Sequence, residues 1–202
     1  GLGDVYKRQE RRILMSIAEN VAEIRRQMEV AALAAGRDPK GILLCAATKM
    51  NDADAVRQAI AAGVDCCGEN RVQELTAKLA QNAYDGAPVH FIGHLQTNKV
   101  RQVVGKVSLI QSVDSERLLA AIDREAARQG IVQDILLEVN IGEEASKSGF
   151  AAEDILPLME KIGEFSKLSY LTIKALRFYE KEGLLITQKV DQKTCLLYTS
   201  PS

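Results

Sequence analysis

Tryptophan is absent from the 202 residues, and Phe, Trp and Tyr together supply only 4% of them. So thin an aromatic complement leaves no broad stacking platform for nucleic acid over most of the chain. Long apolar runs are missing as well, none approaching the roughly 20 residues that a membrane helix needs. No basic segment followed by an apolar core opens the chain, which predicts that there is no secretory leader. The four cysteines, Cys45, Cys66, Cys67 and Cys195, include no C-x-x-C pair. That argues against a zinc knuckle or a dithiol redox motif. Buried, reduced thiols in a cytoplasmic protein are expected instead. Histidine occurs twice, as His90 and His94. "VHFIGH" reads as strand and lacks the glutamate of H-E-x-x-H, so a hydrogen-bonded structural role is expected rather than a metal pair. Ser146 and Ser148 have no histidine near them in sequence, and no nucleophile triad is expected.

What the chain does contain is ordinary for a globular protein: 47% apolar and 26% charged residues. Charge is unevenly placed. Residues 161–202 carry seven Lys or Arg against four Asp or Glu, a net +3, which leaves −4 for residues 1–160 in a chain of −1 overall. Two parts with different purposes are expected. "GLGDVYKRQ" and "CLLYTSPS", at the two ends, break with their neighbours and resemble translated sequencing-adapter DNA. Residues 1–15 are therefore expected to be foreign or disordered, and 195–202 an adapter-like tail. Met15 is the expected true start, with Ser16 capping a helix whose Ile17, Val21, Ile24, Met28 and Ala31 fall at helical spacing.

From residue 42 two periodicities alternate. Strand-like runs are "ILLCAAT", "VDCCGE", "VHFIG", "VSLIQSV" and "DILLEVNI". Helix-like runs between them are "DADAVRQAIAAG", "RVQELTAKLAQN", "TNKVRQVVG" and "SERLLAAIDREAARQG". Continuous apolar strands between amphipathic helices predict a parallel sheet covered on its faces. Asp52 and Ser115 suit N-caps, and Gly63, Gly105 and Gly130 stand where helices should stop. No G-x-G-x-x-G follows the first strand, which weakens a dinucleotide fold. The rhythm predicts an α/β chain with an incomplete (β/α)8 TIM-type barrel of about five βα units in residues 16–160. A barrel lacking three strands would leave two sheet edges unpaired, so poor solubility is expected.

Barrel chemistry gathers at the C-terminal ends of strands. Those ends read Thr48-Lys49, Glu69-Asn70-Arg71, Gly93-His94, Asp114-Ser115 and Asn140. Single polar residues at loop starts mean little. A lysine directly after an apolar strand is more telling. A partly desolvated amine can be neutral and attack an aldehyde to form an imine. The residues alone leave two readings open: a chain merely leaving the core, or an activated lysine in a barrel mouth.

"ILLCAATKM", "CGENRVQE", "HFIGHLQTNK", "SVDS" and "LEVNIGEEASKSGF", in that order over residues 16–150, resemble the pyridoxal phosphate homeostasis protein family. That family is similar to the N-terminal barrel domain of alanine racemase. The resemblance implies a cytoplasmic, monomeric barrel in vitamin B6 and amino-acid homeostasis. It implies pyridoxal 5′-phosphate (PLP) held as an internal aldimine on Lys49, without established turnover, and PLP-dependent apo-enzymes as partners. Asn70, His94, Asn140 and Ser148 are implied to line the pocket. The family's phosphate-cradling loop and the arginine beyond it do not follow Phe150. A true racemase is not expected, because it would need a second domain with a catalytic tyrosine.

"KIGEFSKLSYLTIKALRFYEKEGLL" resembles instead the start of a MerR-type regulator, and residues 161–194 are expected to be its helix-turn-helix fragment. Ile162, Phe165, Leu168, Leu176 and Tyr179 would pack inward and Thr172 would cap the second helix. Lys174, Arg177 and Lys181 would be left to meet DNA phosphates. Two incomplete, unrelated domains predict a chimeric chain joined near residues 150–162.

Overall fold

The computed structural model describes residues 16–140, 148–155 and 157–158, together with the backbone of 171–173, 189–190 and 197–198. The chain forms two compact units, Gly1–His90 and Phe91–Ser202.

In the first unit, α1 (Ile17–Ala34) starts at a complete capping box. The Ser16 hydroxyl accepts from the Glu19 N–H, and the Glu19 carboxylate accepts from the Ser16 N–H at 2.7 Å. Its buried face differs from the expected stripe. Val21 and Ala32 are buried, whereas Ile24 is 41% exposed. The cause is Arg25, which reaches the Gly63 carbonyl at 2.7 Å and Asp65 Oδ2 at 2.6 Å. That pull turns the line Val21–Arg25–Met28–Ala32 inward, a stripe at helical spacing rotated from the purely apolar one. Burial works upward on the Asp65 carboxyl, but the Leu44 N–H and Arg25 outweigh it and hold the group below its usual range.

After a 3-10 turn (Pro39–Gly41), strand β1 (Cys45–Ala47) is shorter than its apolar run. The Asp65 side chain has taken the Leu44 N–H at 2.5 Å. Asp52 caps α2 (Ala53–Ala61) as expected. Strand β2 (Cys66–Glu69) is buried throughout and pairs parallel with β1, Cys45 opposite Cys66. Helix α3 (Val72–Ala80) follows, and Leu75 on it is fully buried. Burial of that kind is worth about 1.5–3 kcal/mol. Strand β3 (Val89–Phe91) starts beside β2, where the Cys67 N–H meets the Pro88 carbonyl at 2.9 Å. Cys66 and Cys67 are buried free thiols, as expected, and burial pushes them up to about 12 and about 11. Cys45 departs from that expectation, being exposed.

In the second unit the expected helix at 97–105 is a 3-10 segment (Thr97–Gln102). With so few residues before Gly105, i→i+3 bonds such as Val100 carbonyl to Val103 N–H close the short span. Val100, Val103 and Val104 are nevertheless buried. Strand β4 (Leu109–Val113) leads through the Ser115 cap into α4 (Glu116–Gln129), which ends at left-handed Gly130. Strand β5 (Gln133–Leu137) pairs parallel with β4. The edge of β5 is not bare. Strand β6 (Leu171–Ile173) pairs with it in parallel, Asp134 opposite Thr172. Thr172 is thus a strand residue and no helix cap. "LTI" includes two β-branched residues, Thr172 and Ile173, and an open edge offers the segment backbone partners. Short strands β7 (Lys189–Val190) and β8 (Leu197–Tyr198) pair antiparallel. Among the described residues no helix is long and apolar enough to cross a membrane.

Candidate cofactor-binding site

Lys49 follows β1 in a turn closed by the Asn51 N–H on the Thr48 carbonyl at 3.2 Å. Met50, the next turn residue, has φ 61°, a left-handed conformation that a side chain adopts only under constraint. The constraint is visible: the Met50 N–H donates to Glu74 Oε2 at 2.8 Å. That bond is the chief cause holding the Glu74 carboxyl below its usual range. Lys49 is exposed rather than part-desolvated as expected, because its turn projects past the end of the strand. Among the described residues no hydrogen bond or ion pair engages its amine.

Beneath the turn lies a buried polar cluster. Glu69 Oε1 accepts from the Thr48 hydroxyl at 2.5 Å, from Lys78 Nζ at 2.6 Å and from the Tyr84 hydroxyl at 3.1 Å. Lys78 Nζ also donates to the Thr48 carbonyl at 2.7 Å. Glu69 is fully buried, and Thr48, Lys78 and Tyr84 are nearly so. Burial first, and then the Glu69 carboxylate, push the Tyr84 phenol above its ordinary value. A carboxylate–ammonium pair so enclosed is costly to assemble and rigid once assembled. Its position directly below Thr48 fixes the backbone from which Lys49 springs.

Sequence reasoning noted Thr48 and Glu69 only as strand ends and missed Lys78 and Tyr84. The available signal was a lysine at 78 on the otherwise apolar line Val72, Leu75, Leu79 of α3. Asn70, placed just after β2, is half-buried, and its Oδ1 has no hydrogen-bond partner among the described residues.

The second unit carries a cleft of about 570 Å³ lined by His94, Gln96, Thr97, Asp114, Ser115, Arg117, Ser148 and Gly149. His94 Nδ1 stands 3.1 Å from Asp114 Oδ2, and the Ser115 hydroxyl donates to Asp114 Oδ1 at 3.0 Å. The Ser112 hydroxyl donates to the Gly93 carbonyl just behind His94. Asn140 enters through its backbone. Its N–H donates to the Phe150 carbonyl at 2.9 Å, and the Phe150 N–H to the Glu138 carbonyl at 2.8 Å. Gly149 has φ 123°, and a Cβ there would come within 2.9 Å of the Asn140 nitrogen. Of the expected pocket residues, Lys49 and Asn70 thus belong to the first unit. His94 and Ser148 share the second unit's cleft, and Asn140 borders it. Lys174, Arg177 and Lys181 lie outside the described residues.

The profile of the family described as alanine racemase, N-terminal domain, matches residues 14–175. The chain belongs to that family. A relative named pyridoxal phosphate homeostasis protein, from Aquifex aeolicus, is 34% identical over 165 residues, 82% of this chain and 72% of its own length. One of the same name from Pseudomonas aeruginosa is 36% identical over 163 residues, 81% and 71% of the two chains. Among solved structures, PipY of Synechococcus elongatus with PLP bound is 31% identical at a TM-score of 0.65. That match covers 84% of this chain and 76% of PipY. The fold is accordingly of the alanine racemase type, a TIM-type α/β barrel fold. A second profile, described as MerR family regulatory protein, matches residues 161–192 and overlaps the first.

Proposed function

We propose that the chain binds PLP and serves vitamin B6 and amino-acid homeostasis, with Lys49 as the attachment point. One observation carries this reading: an exposed lysine amine, unengaged among the described residues, stands at the end of β1 on a turn anchored by the buried Glu69–Lys78 pair. Support comes from the relatives, which are named for PLP homeostasis, and from PipY, solved with PLP bound.

The donor set suits the cofactor. Lys49 would hold the cofactor as an internal aldimine, its amine supplying the nucleophile for the PLP aldehyde and water being the group released. Half-buried Asn70 has a carbonyl oxygen to spare for a donor. His94, Asn140 and Ser148 are proposed as further contacts, tested residue by residue. The cofactor supplies an electrophilic aldehyde; the chain's own contribution is a lysine held in one place. Delivery to PLP-dependent apo-enzymes belongs to the same proposal.

Incubation with PLP, borohydride reduction and peptide mapping test the reading. One equivalent of adduct on Lys49, lost in Lys49→Ala, is expected. Adducts spread evenly over many lysines, or none at all, would overturn it. The match of residues 161–192 to the MerR profile favours a second reading, DNA binding through Lys174, Arg177 and Lys181. Retention on DNA that weakens steeply with salt, and in K174A/R177A/K181A, supports it. Salt-insensitive retention, or none, removes it.

A further inference from the structure

The strand register assembles a group that neighbouring positions in the sequence do not suggest. Cys45 on β1 lies opposite Cys66 on β2 in a parallel ladder, and opposed residues of such a ladder share one face. Cys67, one residue on, points to the other face. The cysteines that meet are therefore Cys45 and Cys66, 21 residues apart, and not the adjacent pair. Alternation along β3 brings His90 to the same face, with Nδ1 3.7 Å from Cys66 Sγ. The Cys45 and Cys66 sulfurs and a His90 ring nitrogen all lie within 4.8 Å of one another.

We propose that Cys45, Cys66 and His90 form a binding site for a thiophilic d10 cation of the zinc class. Two sulfurs and one imidazole nitrogen are a borderline-soft donor set suited to zinc, and too soft for magnesium or calcium. Three ligands on adjacent strands are held by the sheet itself, so little order is lost on binding. Zinc sits about 2.3 Å from sulfur and about 2.0–2.1 Å from nitrogen, which places tetrahedral ligands roughly 3.3–3.8 Å apart. Side-chain rotation of the cysteines closes the remaining gap. Exposed Cys45 gives an ion its way in from solvent and leaves the fourth position to water, while buried Cys66 and half-buried His90 close the far side. Both thiols enter as thiolates. Two S–H bonds break, two metal–sulfur bonds form and two protons pass to solvent, driven by the cation's charge.

Lys49 is four residues along the chain from Cys45, about 13 Å at strand rise. The proposal therefore stands or falls apart from PLP binding.

The test uses the full chain with Zn2+, and with Co2+ as a spectroscopic probe. One equivalent should bind, with sulfur-to-cobalt charge-transfer absorption, and C45S, C66S and H90A should each weaken binding by about 100-fold or more. That exceeds the 10–100-fold typical of changes outside the ligand shell. C195S and C67A should bind as the parent does. Zn2+ should also slow alkylation of Cys45 in the unaltered chain, read by peptide mass, a measurement that needs no variant to fold. Absence of a stoichiometric ion, binding that survives C45S, or alkylation of Cys45 indifferent to Zn2+ would each overturn the proposal.

Discussion

Replacing Lys78 by Met removes the cation from a carboxylate that has nowhere to go. Glu69 is fully buried, and of its three donors Lys78 is the charged one, 2.6 Å away. At an effective dielectric near 20, the gross attraction at that distance is about 6 kcal/mol. Most of it offsets the desolvation of the two ions. Deleting one partner exposes that cost, and breaking a buried pair typically loses about 3–5 kcal/mol. Thr48 and Tyr84 remain on Glu69 Oε1, while the Thr48 carbonyl loses its donor at 2.7 Å. With a urea dependence of about 1–3 kcal/mol/M, a loss of about 4 kcal/mol moves the midpoint down by roughly 1.3–4 M. Hydrogen exchange of peptides covering 66–84 localises the effect to this unit. The double variant E69L/K78M, with no charge left to strand, should recover most of the loss. A K78M cost below about 1 kcal/mol, or no recovery in the double variant, would refute the view that this pair holds the turn.

Two further outcomes concern Gly149 and Tyr84. Gly149→Ala forces a Cβ to within 2.9 Å of the Asn140 nitrogen and 3.1 Å of the Glu138 carbonyl at φ 123°. Both neighbours are backbone, so a loss of about 1–3 kcal/mol is expected. It should appear as faster exchange of the Asn140 and Phe150 amides. Alkali should also destabilise the first unit through Tyr84. Its phenol keeps its proton in the folded chain above the ordinary value near 10. Above that pH the unfolded state binds fewer protons, so stability is full below pH 10 and falls as pH rises, by up to about 1.4 kcal/mol per unit. Urea midpoints from pH 9 to 11.5, compared with Tyr84→Phe, isolate that slope.

The α/β rhythm was legible because each βα unit carries its own local signals. Asp52 and Ser115 cap the helices expected of them, and Gly130 ends α4 in the left-handed conformation. Shorter spans were less legible, since the bonding at 97–102 depends on how few residues remain before Gly105. The inward face of α1 was misread because Arg25, a charged residue, forms part of it through Asp65, 40 residues away. In the same way the Glu69–Lys78–Tyr84 cluster and the meeting of Cys45 with Cys66 and His90 are products of register. No spacing rule joins residues that neighbouring strands bring together. Lys49 was legible in kind, as a lysine after an apolar strand; the ligand proposed for it came from the family likeness.

The turn that bears Lys49 has consequences for the order in which the chain acquires structure. Thr48 reaches Glu69 across 21 residues, Lys78 reaches Glu69 across 9 and Thr48 across 30, and Tyr84 reaches Glu69 across 15. Closing loops of that size costs little entropy beyond that of a short loop, and low contact order goes with fast folding. Every bond that fixes the turn thus joins residues no later than Tyr84, all of them ahead of the second unit, which begins at Phe91. Lys49 is positioned by contacts drawn from the first unit, the earlier of the two to be translated.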